Sequence, residues 1–150
     1  MLRFKKMIQY SASDRLNFKE YYDFLKRTDL GSQYPKENLE ERVTKLLQNC
    51  SLSITARNED NLLIGIGFGL TDFAYFLFIT DLAVDRRYVG KGIGSKMMTL
   101  LLDEAGGKDD ITVVTLSNEE AYNFYEKAGL TRDDGLFWKS CEVWTEHVVE

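Results

Sequence analysis

The sequence is poor in the residues that build metal sites, disulfide frameworks and histidine-based catalysis. Its 150 residues include two cysteines, one histidine and one proline. Cys50 and Cys141 show neither a CxxC nor a Cys/His ligand spacing, so we expect no disulfide framework and no metal site. His147 lies near the end of the sequence, which disfavours a histidine-based triad. Proton transfer must then depend on carboxylates, tyrosines, lysines, cysteines or water.

Long apolar runs and an excess of positive charge are also missing. No run approaches the ~20 apolar residues that span a bilayer, and the first residues lack the apolar core of a secretory signal. We therefore expect a cytoplasmic protein without a membrane partner. The formal net charge of -5 disfavours nucleic acid as the main partner. The length and the 44% of hydrophobic residues suit one domain over residues 1–150.

Hydrophobic spacing predicts a mixed α/β fold with the element order β-α-α-β-β-β-α-β-α-β. In the strand at 62–70, Ile64, Ile66, Phe68 and Leu70 alternate with glycines, and such a bare face predicts that another group approaches closely. The predicted elements are a strand at 3–10, helices at 18–25 and 39–47 with Pro35 opening the second, strands at 52–56 and 62–70 around a turn at 57–61, a buried strand at 73–84, a helix from 93 to about 106, a strand at 111–116, a helix closed by Gly129, and a last strand at 136–146.

The sequence RRYVGKGIGSKMM, at residues 86–98, brings three glycines and four cations to the start of a predicted helix. The first amides of a helix have no partner within the helix and favour an anion. Glycines remove the side chains that would keep a phosphate from those amides. The pattern does not fit the Walker GxxxxGK[ST], and the dinucleotide GxGxxG fails at Ser95. The segment therefore predicts a phosphate site of another kind.

Three blocks along the chain carry a family resemblance. Residues 87–92, RYVGKG, fit the pattern [QR]xxGx[GA]; DLAV precedes them at 81–84; and SNEEAYNFYEKAGL follows at 117–130. In this order and spacing, the blocks resemble those of the GNAT superfamily of N-acetyltransferases, over residues 62–138. The resemblance implies a single-domain, mostly antiparallel mixed sheet flanked by helices. It also implies acetyl-CoA as the co-substrate and acetyl transfer to a primary amine, here expected to be a small molecule.

The resemblance also implies roles for individual residues. Tyr125 corresponds to the family tyrosine that protonates the departing sulfur of coenzyme A, and Asn118 to a residue that contacts the cofactor. The backbone around Leu82 is expected to bind pantetheine in the manner of an added strand. The full set expected to contact the cofactor is Leu82, Ala83, Val84, Arg87, Val89, Gly90, Lys91, Gly92, Ile93, Gly94, Ser95, Asn118 and Tyr125.

The acceptor side is predicted from charge and aromatic content. Asp81 interrupts an apolar run beside the acetyl end of the expected cofactor, so we expect it to bind the amine or act as the base. Tyr34 is the ring least explained by packing and is assigned to substrate binding. With Asp29 and the rings between residues 21 and 78, these features favour arylalkylamines or polyamines over sugar phosphates.

Alternative functions remain open at this point. The same blocks are compatible with acetylation of a protein N-terminus or lysine, and with a non-catalytic acyl-CoA-binding module that regulates a partner. A homodimer is also compatible with the sequence.

Overall fold

The computed structural model describes residues 7–30, 37–137 and 139. Its elements, in chain order, are β1 (Gln9–Ser11), α1 (Phe18–Leu25), α2 (Leu39–Asn49), β2 (Leu52–Arg57), β3 (Leu63–Thr71), β4 (Phe76–Val84), α3 (Ile93–Ala105), β5 (Thr112–Thr115) and α4 (Tyr122–Lys127), with short 3-10 helices at Arg86–Tyr88 and Glu119–Ala121. This order agrees with the prediction as far as α4. Pro35 and the predicted last strand at 136–146, apart from its first residues, lie outside the described residues. The first strand begins at Gln9, so the prediction that residues 7 and 8 belong to it is wrong.

The five strands form one sheet in the order β1-β2-β3-β4-β5. The first three pairs are antiparallel, and β4 pairs with β5 in parallel. One apolar cluster joins α1 and α2 to one face of the sheet, and a second joins α3 to the other face. The predicted mixed, mostly antiparallel sheet flanked by helices is therefore confirmed. No helix of the described ranges is long and apolar enough to cross a membrane.

The glycines of β3 make room for helix α3. A Cβ atom on Gly67 would lie 3.1 Å from Cδ1 of Leu101, and one on Gly65 would lie 2.9 Å from Cε of Met97. Both distances are shorter than ordinary van der Waals contact, so a side chain at either position would force the ends of the Met97 and Leu101 side chains to move. The group that approaches the bare glycine face closely, as predicted, is therefore helix α3, which packs on this face of the sheet.

One predicted alternation in β3 is wrong because of a β-bulge. Ala56 pairs with Gly65 and Arg57 pairs with Leu63, which leaves Ile64 as an extra residue. A bulge moves the following side chains to the opposite face. Ile64 therefore packs in the α3 cluster, whereas Ile66 and Phe68 pack with α1 and α2.

A second bulge shapes β4 where the sheet opens. Phe68 pairs with Asp81 and Gly69 pairs with Ile79, so Thr80 is the extra residue of β4. The pairing of β4 with β5 ends at the same point, because its last pair is Ile79 with Thr115. Beyond the bulge, the edge of β4 that faces β5 has no strand partner among the described residues. Residues 82–84 therefore line an opening in the sheet.

Candidate active site

A cavity of about 320 Å³ lies at the opening between β4 and β5. It is bounded by the end of β4, the glycine segment before α3, and helix α4. The structure thus brings together ten of the residues predicted to bind the cofactor. The cavity is lined by Leu82, Ala83, Val84, Tyr88, Val89, Gly90, Gly92, Ile93, Gly94, Ser95, Ala121, Phe124 and Tyr125.

The glycine segment presents bare backbone to this cavity. Gly90 and Gly92 both have φ of +81°, which glycine adopts without the cost that a Cβ imposes. A Cβ atom on either residue would meet no atom within 4 Å. The first backbone hydrogen bond of helix α3 runs from the Lys96 amide to the Gly92 carbonyl, at 3.1 Å. The amides of residues 93–95 lie before this first helical bond and point out of the start of the helix. The segment offers the geometry of an anion site, with open space where phosphate oxygens fit.

Asp85 anchors the chain between β4 and this segment. Its side chain is fully buried, and its carboxylate accepts hydrogen bonds from Arg27 at 2.5 Å, from the Arg87 guanidinium at 2.9 Å, and from the Arg87 amide at 2.9 Å. Burial would raise the pKa of Asp85, but the bonds from Arg87 and Arg27 outweigh it and lower the pKa from 3.8 to about 2. Asp85 is therefore a buried carboxylate that stays ionised at neutral pH because two guanidinium groups hold it.

Arg86 fastens the same segment to the end of α1. Its guanidinium donates to the carbonyls of Lys26 and Thr28 and to the carboxylate of Asp29, the last at 2.7 Å. The Arg86 amide also donates to the Arg27 carbonyl at 2.9 Å. A cation near the carbonyls at the end of a helix is stabilising. The end of α1 and the start of the glycine segment therefore hold each other in place.

The two cations predicted to contact the cofactor, Arg87 and Lys91, have neighbours within the protein. Arg87 pairs with Asp85, and the Nζ atom of Lys91 lies 5.1 Å from the ring centroid of Tyr88. Neither side chain lines the cavity. Their contact with phosphate stays a prediction, and the lining itself offers backbone amides for the anion.

A second cavity, of about 220 Å³, adjoins the first and shares residues 82–84, Ala121 and Tyr125 with it. Its other lining residues come from the end of α1, the bulge of β4 and the segment after β5, namely Thr28, Asp29, Leu30, Thr80, Asp81, Thr115, Leu116, Ser117 and Asn118. Of its two carboxylates, Asp81 is buried at 7% exposure, and Asp29 is exposed and paired with Arg86. The two cavities meet at the end of β4 and at Tyr125.

Tyr125 stands between the two cavities on helix α4. Its ring packs edge-on against Phe124, with the ring centroids 5.1 Å apart. Burial raises the pKa of the Tyr125 phenol, the hydroxyl of Thr115 lowers it, and the charge of Asp81 raises it, with a net increase. The phenol is therefore protonated at neutral pH and can donate a proton into either cavity.

Other predicted site residues fall in different places. Asn118 lines the second cavity and not the first, while Tyr34 lies outside the described residues.

The rings expected to surround the acceptor do not line the second cavity in the described part of the chain. Tyr21 and Phe68 are fully buried in the core, and Phe73, Tyr75 and Phe76 are exposed around the turn between β3 and β4. The described walls of the second cavity therefore contain none of the rings that were predicted to bind an arylalkylamine.

Sequence reasoning missed several residues of the site. Tyr88 lines the first cavity and its hydroxyl accepts from Asn58 at 3.1 Å, while Thr28, Thr80 and Thr115 line the second. The position of Tyr88 inside the RYVGKG block was the available signal. No sequence signal marked the threonines, because a bulge and the packing of α1 bring them to the second cavity.

The sequence profile of the acetyltransferase (GNAT) family matches residues 18–130, more than half of the chain. The chain belongs to this family. Over 85 residues it is 28% identical to the histone acetyltransferase TAP1 of Glycine max, a match that covers 54% of this chain and 37% of that protein. Over 86 residues it is 24% identical to the uncharacterized N-acetyltransferase ycf52 of Gracilaria tenuistipitata var. liui, covering 55% of this chain and 47% of that protein. The match thus spans less than half of the length of these relatives.

The fold is also similar to that of a predicted acetyltransferase from Clostridium acetobutylicum whose structure contains acetyl-CoA. The TM-score is 0.70 at 19% identity, and the alignment covers 89% of this chain and 96% of that chain. At this identity the likeness concerns the fold.

The buried charge of Asp85 leads to a prediction about acid stability. Because its folded pKa lies below the unfolded value of 3.8, its contribution is present above about pH 4 and is lost as the pH falls towards about 2. The shift corresponds to about 2 kcal/mol of unfolding free energy. We expect Asp85→Asn to abolish this part of the pH dependence, as measured by urea unfolding between pH 6 and pH 2.

The matched control is Asp103→Asn, because Asp103 is exposed on helix α3. This variant should follow the parent at every pH. Equal pH dependence in the parent and in Asp85→Asn would contradict the prediction.

Proposed function

We propose that the protein transfers the acetyl group of acetyl-CoA to a primary amine of a small molecule, by direct attack of the amine on the thioester. One observation carries the proposal. A cavity with a glycine anion cradle and a cavity with a buried carboxylate meet at residues 82–84 and at a protonated tyrosine. Direct transfer requires a donor and an acceptor held against each other, and this arrangement provides two adjoining sites.

The donor side fits acetyl-CoA because its recognition groups are main-chain atoms. The amides before and within the first turn of α3 would hold the pyrophosphate, with open space at Gly90 and Gly92. The edge of β4 at residues 82–84 would pair with the pantetheine amides, since it has no strand partner on that side among the described residues. When bound, acetyl-CoA supplies an activated acetyl group. An amide near Leu82 would donate to the carbonyl oxygen as negative charge develops there.

The acceptor side fits a positively charged amine. Asp81 is buried in the wall of the second cavity, and the described lining contains no lysine or arginine. A free ammonium group has a pKa of about 10.4, so it must lose a proton before it attacks. Asp81 would bind the ammonium and receive or relay that proton.

Tyr125 is assigned the role of general acid. Its phenol borders both cavities and is protonated at neutral pH, because its pKa is raised. Tyr125 would give its proton to the sulfur as the carbon–sulfur bond breaks, which spares the release of a free thiolate.

A second candidate function is acetylation of a protein lysine. The observation in its favour is the match to the histone acetyltransferase of Glycine max over 85 residues. The small volume of the second cavity, about 220 Å³, favours the small-molecule acceptor. The third alternative, a non-catalytic acyl-CoA-binding module, would keep the first cavity and need neither Asp81 nor Tyr125.

Binding of coenzyme A should raise the melting temperature. Ligand at 100 times its Kd adds about 2.7 kcal/mol to the stability of the folded state, which for a chain of this size is about 5–10 °C. Gly92→Val should remove most of this shift, because its side chain would occupy the open space of the cradle. Differential scanning fluorimetry with and without coenzyme A measures both effects.

Gly129→Val is the matched control for this variant. Gly129 has φ of +95° with nothing within 4 Å of a Cβ, so valine is strained there as it is at Gly92. Gly129 does not line the first cavity, and its variant should keep the shift. A parent melt that does not respond to saturating coenzyme A would refute the donor site.

Tyr125→Phe should lower kcat by about 10²–10⁴-fold and leave the coenzyme A-induced melting shift intact, because the ring is kept and only the hydroxyl is lost. Thiol release from acetyl-CoA measures the rate. Tyr122→Phe is the control, since Tyr122 lies on the same helix outside both cavities. A parental rate in Tyr125→Phe would show that water protonates the thiolate.

The acceptor should be a cationic amine. In a thiol-release panel, we expect polyamines to react ahead of glucosamine 6-phosphate, because the described lining of the second cavity has carboxylates and no lysine or arginine to bind a phosphate group. Asp81→Asn should raise the KM for the amine and leave that for acetyl-CoA unchanged, because Asp81 lines only the acceptor cavity. A panel in which the sugar phosphate is the best acceptor, or in which only peptides react, would refute this assignment and leave acetyl transfer standing.

A further inference from the structure

Three consecutive carbonyls after helix α1 accept hydrogen bonds from one residue, Arg86. Its guanidinium donates to the carbonyls of Lys26 and Thr28, and its backbone amide donates to the carbonyl of Arg27. The same guanidinium donates to the carboxylate of Asp29 at 2.7 Å. Carbonyls at the end of a helix have no partner within it, and a planar guanidinium that reaches several acceptors at once fixes their direction. Arg86 therefore fastens the chain that leaves α1.

The chain fastened in this way forms a wall of the second cavity. Thr28, Asp29 and Leu30 line that cavity, whereas Arg86 lines neither cavity. Leu30 is buried in the apolar cluster of α1 and α2, which holds the far end of this wall. Arg86 holds the near end. The direction in which Thr28 and Asp29 face the cavity therefore depends on a side chain that does not itself reach it.

The role of Arg86 is separate from that of its neighbours in the chain. The carboxylate of Asp85 joins Arg27 and Arg87, and this pairing does not involve the Arg86 side chain. The bond from the residue 86 amide to the Arg27 carbonyl is also independent of that side chain. Without the guanidinium, the glycine segment therefore keeps its anchor, and the hold on the wall of the second cavity is lost.

We propose that Arg86 is a positioning residue for the acceptor, because its guanidinium holds Thr28 and Asp29 in the orientation that binds the amine. This inference rests on the proposed function. The apparent affinity for a ligand falls in proportion to the fraction of molecules that have the binding orientation. Hydrogen bonds to a charged group are strong enough to change such a fraction about tenfold. Loss of the guanidinium therefore weakens binding of the amine and leaves binding of acetyl-CoA unchanged.

The charge of Arg86 taken alone predicts the opposite effect on a cationic amine. A guanidinium repels an ammonium group, and it also neutralises Asp29, with which it is paired. If Arg86 acted through its charge, its removal would lower the KM for the amine. If it positions the wall, its removal raises that KM. The sign of the change therefore separates the two roles.

The test is steady-state kinetics of Arg86→Gln with the amine that the parent acetylates. The KM for the amine should rise about tenfold, while kcat at saturating amine and the KM for acetyl-CoA should change less than about twofold. The coenzyme A-induced melting shift should stay at its parental value. Arg86→Lys keeps the charge without the planar fork, so it should also raise the KM for the amine.

The matched control is Arg132→Gln. Arg132 is also an exposed arginine paired with a carboxylate, that of Glu126 at 3.3 Å, and it lines neither cavity. This variant should keep the parental KM for both substrates.

Hydrogen exchange gives a second readout that does not require catalysis. The amide of Thr28 donates to the Leu25 carbonyl, and the amide of Leu30 donates to the Thr28 hydroxyl. In Arg86→Gln, both amides should exchange about tenfold faster, because the wall opens more often. The amide of Lys96, in the first turn of α3, should keep its parental rate.

Three results would overturn this inference and leave acetyl transfer standing. They are a KM for the amine that stays parental or falls in Arg86→Gln, a KM for acetyl-CoA that rises equally with it, and parental exchange at Thr28 and Leu30. A parent that acetylates no amine would refute the proposed function and with it the role of Arg86 in amine binding. The exchange rates would then still decide whether Arg86 holds the wall.

Discussion

The ionised carboxylate of Asp85, buried between two guanidinium groups, is the interaction on which the geometry of the site depends. It lies one residue after β4 and receives Arg27 from the end of α1 and Arg87 from the next 3-10 turn. A buried charge is costly unless it is paired and hydrogen-bonded. Because Arg27 follows α1 and Arg87 precedes the glycine segment, their bonds to this one carboxylate fix the end of α1 and the start of the glycine segment to β4 together. The glycine segment that lines the first cavity and the residues after α1 that line the second therefore share one anchor.

The second constraint is the bulge at Thr80, which turns one strand into the wall of two cavities. Up to Ile79, β4 is an ordinary interior strand with β3 on one side and β5 on the other. After the extra residue, Asp81 pairs with Phe68, whose side chain packs on the face of the sheet that carries α1 and α2. The edge of β4 that faces β5 is open from this point on. The same three residues, 82–84, then border both the first and the second cavity. A regular strand would have buried this edge against β5.

The sequence predicted what depends on local patterns and missed what depends on register. The apolar stripes of α1 and α3 and the glycine cradle follow from spacing and backbone chemistry, and the structure has them at Tyr21, Met97 and Gly92. The prediction that Ile64 lies on the same face of the sheet as Ile66 was wrong, because no residue type marks the bulge at Ile64. Arg87, which is predicted to contact the anion, also pairs with Asp85 two residues before it, and Arg86 pairs with Asp29, which only the folded chain brings near it. The contact of Arg87 with phosphate stays a prediction. Local composition signals a charge, whereas its partner is set by tertiary structure.

The two cavities differ in the groups that line them: mainly glycine backbone and apolar side chains in the first, and threonines and carboxylates in the second. The first cavity is lined mainly by apolar side chains and glycine backbone, so its shape depends on backbone angles such as φ of +81° at Gly92. The second cavity is lined by Thr28, Thr80, Thr115 and the buried Asp81. The walls of the first cavity therefore depend mainly on backbone conformation and those of the second on side-chain identity, although the two cavities share residues 82–84.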